Sequence, residues 1–520
     1  MILKKRGTLL TNNRNSQFIR LKEILANNYI PVIFCILYTL IFSIATILKY
    51  YTFNASLMDL GAEMHNLFLI SKGYFYWFKP NGILTHTSIF AGYFEILYIP
   101  LGFIYKIIPH VSFFLILQSF LIGVSAFPFY YISRDLLGNK WGFIGPLLIL
   151  LNPQIHTGNM DDFHMSVFYV AFISFALYFA FKKKIFYLYL FSFLVLITKA
   201  DSFLYVTSIA IFMLLIDHEK KHIVILTATA WIYGLFVIFY ILPHLQGNFT
   251  VMWGTGTEHP IYLILTEGIK DLKAGNITGF IFSIINPIFK NIRYNFRYLL
   301  YLFVVLGFMP LFSKKYIIVT LVPLLVCWSV SFYPEHFYYY EPFLILQYSY
   351  FVVPFFVIAS IYGLKNTVNF IDKTNFKLLK KYFAVIFACL LLTLSILIQN
   401  YSSISNFGLF NAFNLENFKY KKNMHPDNIK KAFSRIKSQY SVSSSGFIGS
   451  HLYNHYAYNE FPIGIGSAVY IAFSTCYFIP YNKRRDDKFL GIFDSLKNSG
   501  KYEVVYKKGC NTILKRKKTA

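Results

Sequence analysis

Apolar stretches of about 20 residues, each long enough to cross a hydrocarbon core roughly 30 Å thick, recur along the chain from residue 29 to residue 399 and then stop. They predict membrane spans over 29–49, 111–132, 141–157, 165–181, 185–198, 203–216, 223–242, 296–312, 316–332, 343–363 and 382–399, eleven in all. The stretch 91–108 is apolar too, but it carries Glu95, Pro100 and Lys106. Counting it as a span would put the acidic turns inside and the basic turns outside, so it reads as a re-entrant or interfacial segment packed against protein.

From residue 401 the pattern changes to mixed polarity. A Ser-rich strand-like stretch (440–445), a β-prone run (468–478), an amphipathic helix (489–498) and a hairpin turning near Lys508-Gly509 predict a small α/β domain. The expected fold class is therefore an all-α polytopic membrane bundle of about eleven helices over residues 1–400, followed by an extracytoplasmic α/β domain over 401–520.

Composition agrees with lipid as the main solvent: 56% of residues are hydrophobic and 14% charged, with a mean hydropathy of +0.50. The first apolar run follows a basic leader (Lys4, Lys5, Arg6, Arg14, Arg20, Lys22) and lacks a small-residue cleavage site, so it reads as a retained anchor. A net charge of +26 raises nucleic acid as a partner, but no zinc, RRM or helix-turn-helix pattern accompanies it. The basic residues orient the chain instead. With the N-terminus in the cytoplasm, the turns that fall inside are short and basic: Ser133 to Lys140, Lys182 to Lys184, Asp217 to His222, Lys314-Lys315 and Lys365 to Lys381. The opposite face collects most of the acids and histidines.

Asp59 and Glu63 lie just beyond the first span, followed by Leu84-Thr85-His86. An acid at that place can act as general base on an acceptor hydroxyl, or Asp59 can cap a short helix starting at Leu60. Asp161-Asp162-Phe163-His164 joins two spans. Its oxygens and imidazole suit a divalent cation or a phosphate, and an N-cap is the plainer alternative. At Thr198-Lys199-Ala200-Asp201 a lysine breaks the charge bias of the other short turns, so Lys199 either binds a lipid-linked phosphate, pairs with Asp201 or snorkels. Arg293 and Arg297 either bind the same group or anchor the interface. The aromatic and acidic segment 333–342 suits a sugar ring or an ordinary aromatic belt. Four N-x-S/T sequons (Asn54, Asn248, Asn276, Asn400) fall on the same face. Cys476 and Cys510 lie in the tail, where a bridge is open to either outcome.

The order of motifs resembles a family of prokaryotic, largely archaeal membrane proteins, DUF2079. The matching residues are Asp59-Leu60-Gly61, Leu84-Thr85-His86, Gln118, Asp162-Phe163-His164 and Lys199-Ala200-Asp201, with Ala200 where the family usually has Glu. In the tail they are Val442 to Ser445, His451-Leu452, Tyr458, Phe461-Pro462, Tyr502 to Tyr506 and Leu514 to Arg516. That family looks like a branch of the GT-C superfamily, whose members take a sugar from a polyprenyl-phosphate carrier.

The resemblance implies a membrane glycosyltransferase with Asp59 as catalytic acid or base. It further implies that His164 and Lys199 bind the carrier phosphate, while Asp162 orients His164 or a metal. Glu63, His86, Asp161, Asp201 and Arg293 join them as substrate-binding candidates. Membrane lipid and a lipid-linked sugar donor are the expected partners, and nucleic acid is not one. A transporter or flippase, or a non-catalytic assembly protein, is the alternative. The former calls for ionisable groups near the midplane, and the spans are nearly free of charge.

Overall fold

A computed structural model of the chain describes residues 29–79, 81–246, 270–290, 292–330, 347–374, 377–404, 414–477 and 483–517. The basic leader, the loop section holding Asn248, and the segment 333–342 lie outside these residues. The first apolar run is helix α1 (Tyr29–Tyr51). Tyr38, Phe42 and Ala45, at helical spacing, are buried against the bundle, while Ile33, Ile36, Leu37, Leu40, Ile41 and Ile44 are exposed. In a membrane protein that outward stripe is the lipid-facing side.

Chain order continues through α2 (Ala62–Ser71), the hairpin β1 (Tyr76–Phe78) and β2 (Leu84–Ser88), and α3 (Tyr98–Ile107). Then come α4 (Val111–Val124), α5 (Ala126–Leu137), α6 (Ile144–Leu150), α7 (Pro153–Met160), α8 (Phe168–Phe181), α9 (Ile185–Leu196), α10 (Ser202–Leu215) and α11 (Lys220–Phe236). Later helices include Ile292–Val305, Val353–Ile371 and Lys377–Ile404. Among the described residues, five helices are long and apolar enough to cross a membrane: Tyr29–Tyr51, Val111–Leu137, Lys220–Leu245, Met309–Trp328 and Lys381–Gln399. At ten residues α3 is about 15 Å long, half a hydrocarbon core.

Several expected spans differ in shape, and the one over 343–363 lies partly outside the described residues, its described helix running over Val353–Ile371. The run over 141–157 is α6 and α7 with a break between them, because Asn152 caps α7 by accepting from the Gln154 amide at 3.0 Å, and Pro153 at N1 starts a helix but cannot extend one. All eight residues of α7, half of them polar, are buried. Around the expected boundary at 312–316, Gly307 and Phe308 adopt positive φ and close the helix Ile292–Val305 early. A 3-10 stretch, Met309–Thr320, follows.

The tail is a five-stranded sheet, β3 (Val442–Ser444), β4 (Tyr458–Glu460), β5 (Tyr470–Ser474), β6 (Tyr502–Lys508) and β7 (Asn511–Arg516), in the order β4-β3-β5-β7-β6. β3 runs parallel to both neighbours, whereas β7 is antiparallel to β5 and β6. Phe489 and Phe493 of the helix Lys483–Asn498 cover one face, with Phe493 stacked on Phe473 at 4.3 Å. A disulfide joins Cys476 to Cys510, Cα atoms 5.4 Å apart.

The tail is seated on the elbow that follows α1. His451 donates from Nε2 to the Tyr50 carbonyl at 3.1 Å and lies between the rings of Tyr50 (4.3 Å) and Phe53 (4.0 Å). Asn54 is completely buried and donates to the carbonyls of Asn417 (3.0 Å) and Lys419 (3.1 Å). The Asn54 amide nitrogen that a glycan would need is thus used inside an interface. Asn276 is exposed. Two glycines permit the close approach: a Cβ on Gly449 would run into the Leu57 side chain, and one on Gly61 into the Tyr458 hydroxyl. Met424, Ile448, Leu452 and Tyr458 thereby join one apolar core with Phe53, Leu57 and Leu60.

Gly449→Ala is expected to destabilise the protein by about 1–3 kcal/mol through overpacking against Leu57. Thermal unfolding in detergent checks this, and pairing the change with Leu57→Ala should recover part of the loss.

Candidate active site

The site is assembled on the loop between α7 and α8, which three buried side chains fix. Gln118 of α4, fully buried, donates to the carbonyls of Asn159 (3.0 Å) and Asp162 (2.7 Å) and accepts from the His164 amide (3.1 Å). Lys49, at the end of α1 and 2% exposed, donates to the Met160 carbonyl at 2.5 Å and to Asp162 Oδ1 at 2.8 Å. The other Asp162 oxygen accepts from the Ser56 amide at 2.6 Å. Asp162 holds φ +77°, a left-handed conformation that costs a non-glycine residue on the order of 1–3 kcal/mol. Its carboxylate thus ties α1, the elbow and the α7–α8 loop together.

The capping alternatives do not hold. Ser56, not Asp59, caps the elbow turn Leu57–Gly61, accepting from the Met58 amide at 3.0 Å. Asp161 is at the C-terminal end of α7 and Asp162 makes the contacts above, so neither starts a helix.

These ties place His164 among three carboxylates. Its Nε2 donates to the Asp161 carbonyl at 2.9 Å and lies 3.5 Å from Asp161 Oδ2 and 3.9 Å from Asp59 Oδ1, and its Nδ1 is 3.9 Å from Glu63 Oε1. Asp59 is the accessible member: its side chain is 36% exposed, against 11% for Glu63, 6% for His164 and 4% for Asp161. Burial, then Asp161, pushes Asp59 up to about 7 even though His164 pulls the other way. Although a third of the side chain reaches solvent, protein surrounds it on its other sides, and the direction of the shift follows from that crowding. Burial, and next Glu95, raises Glu63. Burial lowers His164, so the imidazole is neutral near pH 7.

Glu63 is held from behind. Tyr98 donates to Glu63 Oε2 at 2.6 Å, Asn66 donates to the Tyr98 hydroxyl at 3.1 Å, and Trp77 Nε1 donates to Asn66 Oδ1 at 2.8 Å. This chain links the hairpin β1–β2 to the cluster. Lys199 pairs with Glu95 at 3.2 Å and lies 4.5 Å from the Tyr93 ring centre, so its partner is not Asp201. Burial pulls the Lys199 ammonium down, but Glu95, Tyr93, Glu63 and Asp201 together more than offset that and hold it charged. Asp201 accepts from Tyr169 (3.0 Å) and Tyr205 (2.5 Å) inside the bundle.

Asp59, Glu63, Asp161, Asp162 and His164 therefore converge, Lys199 lies alongside with Glu95, and Asp201 sits deeper. His86 is on the exposed face of β2, and Arg293 is exposed on the helix Ile292–Val305. Among the described residues, no hydrogen bond or ion pair joins either to the cluster. No three His, Cys, Asp or Glu side chains among the described residues are arranged as ligands for a metal ion.

A sequence model described as "Predicted membrane protein (DUF2079)" matches residues 49–466. The chain belongs to the DUF2079 family. The DUF2079 match begins at Lys49 and includes every residue of the cluster. No curated protein matches. Among solved structures, this DUF2079 protein is similar to ArnT from Cupriavidus metallidurans in the apo state, at 10% identity and TM-score 0.40, covering 91% of this chain and 97% of that one. ArnT bound to undecaprenyl phosphate gives the same identity and coverage with TM-score 0.37. The Archaeoglobus fulgidus oligosaccharyltransferase in complex with Zn and sulfate is 9% identical with TM-score 0.32, covering 84% of this chain and 68% of that chain.

Sequence reasoning left Lys49, Glu95 and Tyr98 out of the site. Lys49 carried a signal, since an ionisable residue closing an apolar run calls for a partner. Removing one member of the buried pair, by Lys49→Met or Asp162→Asn, should cost about 3–5 kcal/mol by stranding the other. The double variant should cost less than the sum of the two, as read from thermal unfolding in detergent.

Proposed function

We propose that this protein is a membrane glycosyltransferase that moves a sugar from a polyprenyl-phosphate carrier to an acceptor hydroxyl on the non-cytoplasmic face. The observation that carries this reading is the placement of one accessible carboxylate, Asp59, eight residues beyond the end of α1, in contact with buried His164 and flanked by the charged Lys199. A substrate anchored in the bilayer by its lipid presents its reacting phosphate at that level. The GT-C resemblance of the sequence motifs assigns the same residues.

Asp59 takes the proton of the acceptor hydroxyl, and the oxygen bonds to the anomeric carbon. The bond from that carbon to the carrier phosphate breaks, and polyprenyl phosphate leaves with the electron pair. Lys199, kept cationic by Glu95, stabilises the departing phosphate. Glu63 and Asp161 hold His164, and the Trp77-Asn66-Tyr98 chain holds Glu63. The Cys476–Cys510 disulfide supports a non-cytoplasmic tail, because such bonds persist in oxidising compartments.

Transfer of radiolabelled sugar from polyprenyl-phosphate donors to cellular acceptors, measured in membranes at equal expression, should fall by roughly 10²–10⁴-fold in Asp59→Asn. Lys199→Ala should also lose transfer. Equal transfer in all three proteins would overturn the assignment.

The general base is the ionised form, so kcat/KM should rise with pH through about 7 and level off above it. Stability runs the other way. A carboxyl raised in the fold contributes stability that is fully present below its unfolded value of 3.8 and is lost as pH rises through about 7. Asp59→Asn should therefore raise Tm at pH 8 relative to the wild type and leave it nearly unchanged at pH 4. A Tm that falls at pH 8 would contradict the electrostatic account of Asp59.

A further inference from the structure

The tail, residues 401–520, holds nineteen Lys and Arg against seven Asp and Glu, which is +12 of the chain's net +26. Orienting the spans does not require charge in a folded domain beyond the last of them. Six of these cations gather at one end of the tail. Asn511 of β7 donates to the Met424 carbonyl at 2.6 Å and the Cys510 amide to the Asn423 carbonyl at 3.3 Å, so the β6–β7 turn is fastened to the segment that leads into the helix Pro426–Phe433. The Cys476–Cys510 disulfide ties the same turn to the end of β5, and Lys508 reaches Asn428 Oδ1 at 3.1 Å across the joint. Lys421, Lys422, Lys430, Lys431, Lys507 and Lys508 are thereby brought to one end of the sheet, Lys421 and Lys430 half-buried and the other four exposed. The acids on the same segments and strand ends, Glu416, Asp427 and Glu460, are outnumbered, and Glu416 is paired with Lys419 at 2.7 Å.

This end of the tail is the one that meets the bundle. Thr52 and Asn54, which follow α1 directly, both donate to the Asn417 carbonyl at 3.0 Å, and the Lys430 ammonium is 5.6 Å from the ring centre of Tyr51. The lysines therefore lie beside the point where α1 leaves the bilayer, at the depth of the lipid headgroups. Large apolar side chains are exposed in the same place: Leu415 is 69% exposed, and Tyr420 and Tyr51 are 45% exposed. A headgroup layer solvates both kinds of group, with rings and aliphatic chains at the acyl boundary and ammonium groups at the phosphates. A soluble polyanion would meet the charge and leave the apolar side chains in water.

We infer that this end of the tail is a docking surface for the anionic headgroups of the leaflet into which α1 emerges. Each lysine near an anionic membrane contributes a roughly 5-fold preference, so a set of six holds the tail, and the elbow beneath it, against the membrane. The surface does not depend on the transferase reading.

The full-length protein is placed in phosphatidylcholine nanodiscs with a rising share of phosphatidylglycerol, and hydrogen exchange is followed over 414–431 and 505–511. Exchange in both stretches should slow as phosphatidylglycerol rises, and the slowing should vanish in about 1 M salt, where charges are screened beyond roughly 3 Å. The opposite end of the sheet, 501–503 and 515–517, is basic too and should not respond. Changing Lys421, Lys422, Lys507 and Lys508 together to Gln should raise the share of phosphatidylglycerol needed by at least about 10-fold, and changing the same four to Arg should leave it unaltered.

Slowing confined to the two stretches, screened by salt and weakened by the Gln changes, supports the surface. No slowing, slowing at the opposite end alone, or slowing that neither salt nor the Gln changes alter overturns it. So does slowing produced by heparin in pure phosphatidylcholine discs and not by phosphatidylglycerol, which would assign a soluble polyanion. If the Gln protein does not fold, the lipid and salt titrations of the wild type and the Arg protein decide.

Discussion

The ion pair between Lys49 and Asp162 is the constraint on which the rest of the site depends. It joins the end of α1 to a loop more than a hundred residues later, and the second Asp162 oxygen holds the start of the elbow through the Ser56 amide. A buried pair of this kind gains little net stability over apolar packing, but it is costly to break on one side. Its effect is geometric: the pair and the Gln118 contacts together hold Asp162 left-handed, and His164 is then presented to Asp59 and Glu63 rather than to the bundle. The elbow so fixed is also the surface on which the tail sits, so the candidate site and tail docking share one foundation.

Most of the architecture was legible because lipid imposes a simple rule. Runs of apolar residues with polar punctuation had to be helices, and the mixed-polarity tail had to be something else. Within the tail, 440–445, 468–478, 489–498 and the turn at Lys508-Gly509 correspond to β3, β5, the helix Lys483–Asn498 and the β6–β7 turn. The short edge strand β4 and the helix Pro426–Phe433 were not anticipated, since three residues of strand and eight of helix leave too little periodicity to read. The break between α6 and α7 was present in Asn152-Pro153, but hydropathy averaged over a span hides it.

The candidate site was legible as a set of residue types and not as a set of partners. Asp59, Glu63, Asp161, Asp162 and His164 stood out as polar residues beside apolar runs, and the fold brings them together. Who pairs with whom was not recoverable. Lys199 meets Glu95, thought of only as a flaw in an apolar stretch, and Asp201 is taken by two tyrosines from α8 and α10. Such pairings depend on helix rotation and depth, which a single sequence does not specify. His86 was chosen from the Leu84-Thr85-His86 motif and Arg293 as a cation flanking a span, and the fold leaves both at exposed positions.

The central claim is group transfer at Asp59, and its most direct test follows both halves of the donor. Reconstituted protein is given a polyprenyl-phosphate sugar labelled in the sugar, and the lipid extract and acceptor fraction are quantified together by mass spectrometry. The account predicts one free polyprenyl phosphate for each sugar joined to acceptor. Donor that reaches the other leaflet intact, with no polyprenyl phosphate released, would contradict transfer and identify transport of the whole lipid instead.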